Sequence, residues 1–237
     1  SSINLGVGQF CTNPGLILTI DSVATQSFCL RMTEAIDQCV GEVMLNKAIY
    51  DSYEANMAEI SAEESYTLLG QGTKVADAFS VKPSLALTSG KKFLTHPEMG
   101  KEIFGPFSLI VSCENDNELS EILMKIEGQL TFSFMGQEKE FNEQAHLIAL
   151  ATEKAGRIIF NGVPTGVEVG YAMIHGGPFP ATTAPNSTSV GTDAIRRFAR
   201  PVCYQDAPQF LLPMALKDNN PLEIFRKING KWSQDKI

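Results

Sequence analysis

The chain has 237 residues, of which 43% are hydrophobic, enough for one large globular unit or two small ones. Its formal net charge is −8 and no basic block occurs, which argues against nucleic acid and anionic membrane surfaces as partners. No stretch approaches the roughly 20 consecutive apolar residues of a membrane span, and the N-terminus lacks the pattern of a signal peptide.

Cysteine and histidine usage argues against a disulfide framework and against a metal site. The five cysteines are an odd number and none forms a Cys-x-x-Cys pair, which favours a reducing compartment. The three histidines are scattered without metal-ligand spacing. We therefore expect a cytoplasmic protein with no bound metal.

The first candidate functional residue in chain order is Cys11, within Gly-Gln-Phe-Cys-Thr-Asn-Pro-Gly at residues 8–15. Four of these eight residues permit or impose unusual backbone geometry, which an ordinary core cysteine does not require. Backbone N–H groups in such a loop can stabilise a thiolate and bind a developing oxyanion. The segment therefore favours a nucleophile, with a structural cysteine as the alternative.

The first half of the chain carries both strand and helix patterns. Residues 16–20 form an apolar run typical of a buried strand, and residues 33–53 show apolar side chains at helical spacing behind the candidate N-cap Thr33. Residues 70–72, Gly-Gln-Gly, predict a loop. Residues 76–87 alternate loosely, which predicts an extended segment.

The middle of the chain opens with a carboxylate and an aromatic ring, in Glu-Ile-Phe-Gly-Pro at residues 102–106. Such a pair could bind a sugar hydroxyl and shield a ring, although composition alone favours an ordinary turn. Strands are predicted over residues 107–112, 130–134 and 157–160. Helices are predicted after the candidate N-cap Asp116 and over residues 141–155. This alternation predicts an α/β fold with a mostly parallel sheet flanked by helices.

Residues 161–193 are rich in Gly, Pro, Thr and Ser, which predicts long functional loops. Phe179 is expected to form an apolar wall of a pocket there. His175, in His-Gly-Gly, is interpreted as structural, because no Gly-x-Ser-x-Gly elbow accompanies it. We expect a catalytic domain over residues 1–200 and a tail over residues 201–237 that packs on a partner domain or subunit.

Taken in order, these segments resemble the C-terminal half of an aldehyde dehydrogenase. Residues 8–11 resemble that family's nucleophile loop, and residues 102–106 resemble its nicotinamide-side motif. Longer matches resemble the NADP-dependent branch that contains the α-ketoglutaric semialdehyde (2,5-dioxopentanoate) dehydrogenases and a Vibrio-type aldehyde dehydrogenase. They are Cys-Thr-Asn-Pro-Gly at 11–15, Pro-Thr-Gly-Val-Glu-Val at 164–169, His-Gly-Gly-Pro-Phe-Pro-Ala-Thr at 175–182, Thr-Ser-Val-Gly at 188–191 and Arg-Pro-Val-Cys-Tyr-Gln at 200–205.

The resemblance implies oxidation of an aldehyde, either α-ketoglutaric semialdehyde or a fatty aldehyde, to the carboxylic acid with NADP or NAD. Cys11 would attack the carbonyl to give a thiohemiacetal, hydride would pass to the nicotinamide, and water would hydrolyse the resulting thioester. The Cys11 backbone N–H would supply half of the oxyanion hole. Glu102 would bond the nicotinamide-ribose hydroxyls and Phe104 would pack beside the nicotinamide. Phe10 and Phe179 would line the substrate tunnel.

The family pattern also implies parts that lie upstream of the cysteine, where this sequence has ten residues. These parts are the general-base glutamate, the oxyanion-hole asparagine and the dinucleotide-binding domain. We therefore expect a catalytic part that lacks the N-terminal dinucleotide-binding domain and is inactive without the missing N-terminal half of the same enzyme. Apolar surface exposed by such a part predicts a homodimer or higher oligomer.

Two alternatives remain at this point. A thiol hydrolase or acyl transferase would need a histidine or carboxylate within about 3–4 Å of the Cys11 sulfur. A non-catalytic assembly module would leave Cys11 buried and unreactive.

Overall fold

A computed structural model describes residues 1–237, which form two units. In the larger unit, Ser1–Arg197, short apolar runs form the strands. Its strands are β1 (Leu16–Ile20), β2 (Thr67–Gln71), β3 (Ser84–Ser89), β4 (Phe107–Cys113), β5 (Gln129–Phe134) and β6 (Ala155–Phe160). One sheet has the order β1-β4-β3-β2, with β2 antiparallel and the other neighbours parallel. A second sheet pairs β5 with β6 in parallel. The predicted α/β fold with a mainly parallel sheet is confirmed.

The helices of this unit are α1 (Val23–Asp37), α2 (Lys47–Ala62), α3 (Gly90–Thr95), α4 (Asp116–Lys125), α5 (Glu138–Glu143) and α6 (Ala145–Thr152). The single helix predicted over residues 33–53 is wrong, because two helices flank an irregular segment. The Ser22 and Asn46 side chains cap the starts of these two helices by accepting backbone N–H groups. Between the helices, a Cβ on Gly41 would lie 1.8 Å from the Val81 carbonyl oxygen.

Three smaller expectations also differ from the structure. Gly70 and Gln71 end β2 and pair with β3 instead of forming a loop. The helix predicted over residues 141–155 is broken at Gln144, and its last residue, Ala155, begins β6. Asn115, not Asp116, caps α4, since its side chain accepts two backbone N–H groups.

None of the helices combines the length and apolarity that crossing a lipid bilayer requires.

Core residues pack on both faces of the sheet at its central strand, β4. Because strand side chains alternate between faces, Leu109 and Val111 pack on one side with Ile122 of α4. Ile110 packs on the other side with Ile36 of α1. The parallel register of β1 and β4 then brings the loops before both strands to one end of the sheet. Residues 8–15 and 102–106 are those two loops.

The smaller unit, Phe198–Ile237, contains a short hairpin of β7 (Arg226–Ile228) and β8 (Lys231–Ser233). Its two-residue turn is Asn229-Gly230, both with positive φ, the sequence favoured at tight hairpin turns. The Arg226 guanidinium donates to the backbone carbonyls of Lys217, Asp218 and Asp235 within this unit. Residues predicted as a tail therefore have local structure of their own.

Candidate functional site

Cys11 lies in a turn that leads into β1. Its side chain is exposed, whereas Thr12 beside it is only 4% exposed. The turn is closed by the Asn13 N–H, which donates to the Phe10 carbonyl over 3.0 Å. The backbone N–H of Cys11 makes no hydrogen bond within the protein, so it is free to donate to a developing oxyanion.

His175 lies directly beside this thiol. The Cys11 Sγ and the His175 Nε2 are 3.1 Å apart, although the residues are 164 positions apart in sequence. The sequence interpretation of His175 as structural is therefore incomplete, because the ring contacts the one candidate nucleophile. No spacing rule could have found this pair. The one available signal was that the segments around both residues belong to the same set of family-like motifs.

The surroundings of His175 favour a neutral imidazole. The residue is 8% exposed, and its Nδ1 is buried without a hydrogen-bond partner. Burial first, and then the positive charge of Arg157, lower the pKa of His175 below its ordinary value. Its backbone N–H donates to the Thr188 hydroxyl over 2.8 Å, which fixes the ring's segment. A neutral imidazole at this position can accept a proton from the thiol.

Cys11, Glu102 and Phe104 line one cavity of about 560 Å³. The loops that carry these residues are held together by a hydrogen bond, which the Asn13 side-chain amide donates to the Gly105 carbonyl over 3.0 Å. A Cβ on Gly8 would lie 2.2 Å from the Gly105 carbonyl group, so the contact requires a glycine. The sheet thus brings a thiol, a carboxylate and an aromatic ring to one opening.

The other two predicted site residues do not line this cavity. Phe10 is half-buried and packs against Gly6. Phe179 is 74% exposed, while the next two residues, Pro180 and Ala181, form part of the cavity wall. The expected substrate-facing role of the two phenylalanines remains a prediction.

The cavity residues fit the nicotinamide end of a dinucleotide. Glu102 is exposed at the opening, and a carboxylate there can accept hydrogen bonds from ribose hydroxyls. Phe104 presents an exposed ring that a flat heterocycle can pack against. Both side chains line the same cavity as the thiol. This placement fits a redox cofactor, which has to lie beside the reacting carbon.

No family model matches the chain. The fold is nevertheless that of aldehyde dehydrogenases. Lactaldehyde dehydrogenase from Escherichia coli superposes with a TM-score of 0.66 at 18% identity, over 87% of this chain and 43% of that one.

Sequence comparison extends this relationship. The chain is 41% identical over 236 residues to alpha-ketoglutaric semialdehyde dehydrogenase of Acinetobacter baylyi, covering 99% of the chain and 45% of the relative. It is 42% identical over 230 residues to alpha-ketoglutaric semialdehyde dehydrogenase 2 of Azospirillum brasilense, covering 97% of the chain and 44% of the relative. The resemblance to the C-terminal half of an aldehyde dehydrogenase that the sequence predicted is confirmed. The chain spans about half the length of the curated relatives it matches.

Proposed function

We propose that this chain is the cysteine-bearing catalytic part of an NADP- or NAD-dependent aldehyde dehydrogenase, and that α-ketoglutaric semialdehyde is its substrate. One observation carries the proposal. Cys11 shares a cavity with Glu102 and Phe104, in a chain that is 41% identical to a semialdehyde dehydrogenase of that name.

The first chemical step uses Cys11 and His175. The sulfur attacks the aldehyde carbonyl carbon, and the thiol proton moves to the His175 Nε2, 3.1 Å away. The carbonyl oxygen becomes an oxyanion as the C–S bond forms. The free backbone N–H of Cys11 stabilises this charge, because it has no partner in the protein.

Glu102 and Phe104 would hold the nicotinamide end of the cofactor at the same opening. When bound, the nicotinamide supplies the acceptor for the hydride that leaves the substrate carbon. We propose that the N-terminal half of the same enzyme binds the rest of the dinucleotide. The greater length of the curated relatives supports this assignment.

Hydrolysis of the thioester needs a proton acceptor again, this time for the attacking water. Once His175 has released the thiol proton to solvent, its neutral Nε2 can accept a proton from the attacking water. The lowered pKa of His175 favours this neutral form. The products are the carboxylic acid and the regenerated thiol, so one histidine serves both half-reactions.

The proposal is tested by joining the chain to the remaining N-terminal part of the Acinetobacter baylyi relative and following aldehyde-dependent reduction of NADP. We expect turnover by the joined protein, none by its Cys11→Ser variant and none by the chain alone. Absence of turnover from a folded joined protein, or steady turnover by the chain alone, would contradict the proposal.

A thiol hydrolase or acyl transferase is the second candidate function, and the 3.1 Å distance between sulfur and imidazole favours it. Such enzymes use a base that a third group orients, whereas the His175 Nδ1 has no partner. The lowered pKa of His175 also disfavours the imidazolium that would protonate a leaving group. Ester hydrolysis by the joined protein without any aldehyde oxidation would favour this candidate.

The assembly-module alternative is disfavoured because Cys11 is exposed.

We also propose a cytoplasmic homodimer or higher oligomer, in which residues 201–237 pack on a partner domain or subunit. Five free cysteines support the reducing compartment.

A further inference from the structure

Arg157, on β6, has unusual partners for a charged side chain. Its Nη2 donates to the Pro164 carbonyl over 2.7 Å and its Nη1 to the Gly166 carbonyl over 3.2 Å. No carboxylate lies within 4.0 Å of it, and its Nε is buried without a partner. A guanidinium held only by neutral acceptors gives up hydration without gaining an ion pair.

The Pro164 carbonyl joins Arg157 to the nucleophile turn. The same oxygen accepts a hydrogen bond from the Thr12 hydroxyl over 2.9 Å. Thr12 is buried and directly follows Cys11, so the backbone of the nucleophile is fixed by this contact. A carbonyl oxygen with two lone pairs can accept from both donors at once.

Arg157 also reaches the segment that carries the base. Its Nη1 lies 3.9 Å from the Met173 sulfur, two residues before His175. The titratable and charged groups beside the His175 ring are the Cys11 thiol and this guanidinium, whose charge helps to lower the His175 pKa. One side chain thus contacts the segment before His175 directly and reaches the nucleophile turn through the Pro164 carbonyl.

We propose that Arg157 is a positioning residue that, through the Pro164 carbonyl and the Thr12 hydroxyl, holds the Cys11 sulfur at the His175 imidazole. The inference rests on the proposed function in that it takes Cys11 and His175 as the reacting pair. Neither Arg157 nor Thr12 needs to touch the substrate.

The test measures alkylation of individual cysteines by iodoacetamide, resolved by peptide mass spectrometry, as a function of pH. Cys203 is exposed and lies in the smaller unit, so its rate is the internal reference. Thr12→Val removes the hydroxyl at nearly constant volume, and Thr12→Ser retains it. Arg157→Met removes the charge and the donors, and Arg157→Lys retains the charge alone. Circular dichroism checks that each variant folds.

We expect Thr12→Val and Arg157→Met each to slow Cys11 alkylation by about tenfold or more, because displacement of a reacting group by about 1 Å can reduce its rate by up to ~10²-fold. Thr12→Ser should stay close to the parent. The double variant should be little slower than either single one, since both act through one carbonyl.

Unchanged Cys11 alkylation in folded Thr12→Val and Arg157→Met would overturn the inference, as would strictly additive effects. Should Thr12→Val not fold, Arg157→Lys decides in its place. It should slow Cys11 alkylation as Arg157→Met does, because only the planar fork reaches both carbonyls. A parent-like rate in Arg157→Lys would overturn the inference. A His175→Gln variant separates this failure from that of the proposed function. If it alone slows Cys11, the pair is real and the positioning role is wrong; if it has no effect, the base assignment itself fails.

Discussion

At the scale of single residues, the proposed chemistry depends on one contact between Cys11 and His175. The thiol is exposed and the imidazole is buried, so the proposed nucleophile is open to a substrate while its proposed base is shielded from solvent. Burial and a nearby guanidinium keep that base neutral and able to accept a proton. An upstream carboxylate is therefore not the only base that the proposed reaction can use.

Replacement of the base is expected to slow the thiol. In His175→Gln the sulfur loses its proton acceptor, so alkylation of Cys11 near neutral pH should slow about 10- to 100-fold, in line with the ~1.5–3 kcal/mol of a hydrogen bond to a charged group. Peptide-resolved alkylation rates measure the change. His146→Gln is the matched control, because its ring is exposed. Equal Cys11 rates in the parent and in His175→Gln would remove the proposed base.

The lowered pKa of His175 also predicts how stability depends on pH. The unfolded chain has an ordinary histidine with a pKa of about 6.5, so below that pH it binds more protons than the folded state. The free energy of unfolding should therefore decrease as pH falls from about 6.5 through the lower folded pKa. Urea unfolding at several pH values should show this decrease in the parent and a smaller one in His175→Gln. An identical pH dependence in both proteins would show that His175 titrates normally.

At the scale of elements, the site is formed by the loops that precede two neighbouring parallel strands. Register between β1 and β4 sets the loops side by side, and the approach of Gly8 to Gly105 sets their separation. Gly8 also has a φ of +65°, a conformation that favours glycine. The thiol and the proposed cofactor-binding residues are thus placed by backbone packing together with the hydrogen bond of the Asn13 side chain.

A methyl group at this contact should separate the loops. Gly8→Ala would place a Cβ 2.2 Å from the Gly105 carbonyl and strain the backbone, and we expect a loss of about 1–3 kcal/mol in the free energy of unfolding. Gly15→Ala is the matched control in the same loop, because nothing lies within 4 Å of its Cβ position. Denaturant unfolding measures both. Equal stabilities for the two variants would mean that the close approach does not hold the loops.

Local patterns predicted the strands well and the long-range contacts poorly. The apolar run at Leu16–Ile20 is a strand with the predicted limits, because a buried parallel strand needs continuous apolar residues. The helix predicted over residues 33–53 failed at Gly41, where the chain packs against the Val81 carbonyl. The contact of His175 with Cys11 was likewise not foreseen. It joins residues 164 positions apart, which periodicity cannot reveal.

At the scale of the whole molecule, apolar side chains are exposed in both units. In the larger unit Val169, Tyr171 and Phe179 are exposed in the loops after β6. In the smaller unit Phe198, Phe210 and Trp232 are exposed. Exposed large apolar side chains often mark surfaces that associate, and their presence in each unit supports the proposed homodimer or higher oligomer.

Self-association of the chain is the corresponding prediction. We expect light scattering to give a mass of at least two copies, which decreases on dilution. Tyr171→Ser with Phe179→Ser should weaken association, while the matched exposed change Val23→Ser on α1 should matter less. A monomer at high concentration would contradict the proposed oligomer.

The proposed attack of Cys11 on an aldehyde, assisted by His175, can be tested on the chain itself. A short aldehyde with a terminal carboxylate is added before iodoacetamide, and alkylation of each cysteine is then quantified. We expect the aldehyde to protect Cys11 at concentrations that leave Cys203 fully reactive, and His175→Gln to weaken the protection. Equal protection of both cysteines, or none of Cys11, would contradict the proposed role of Cys11.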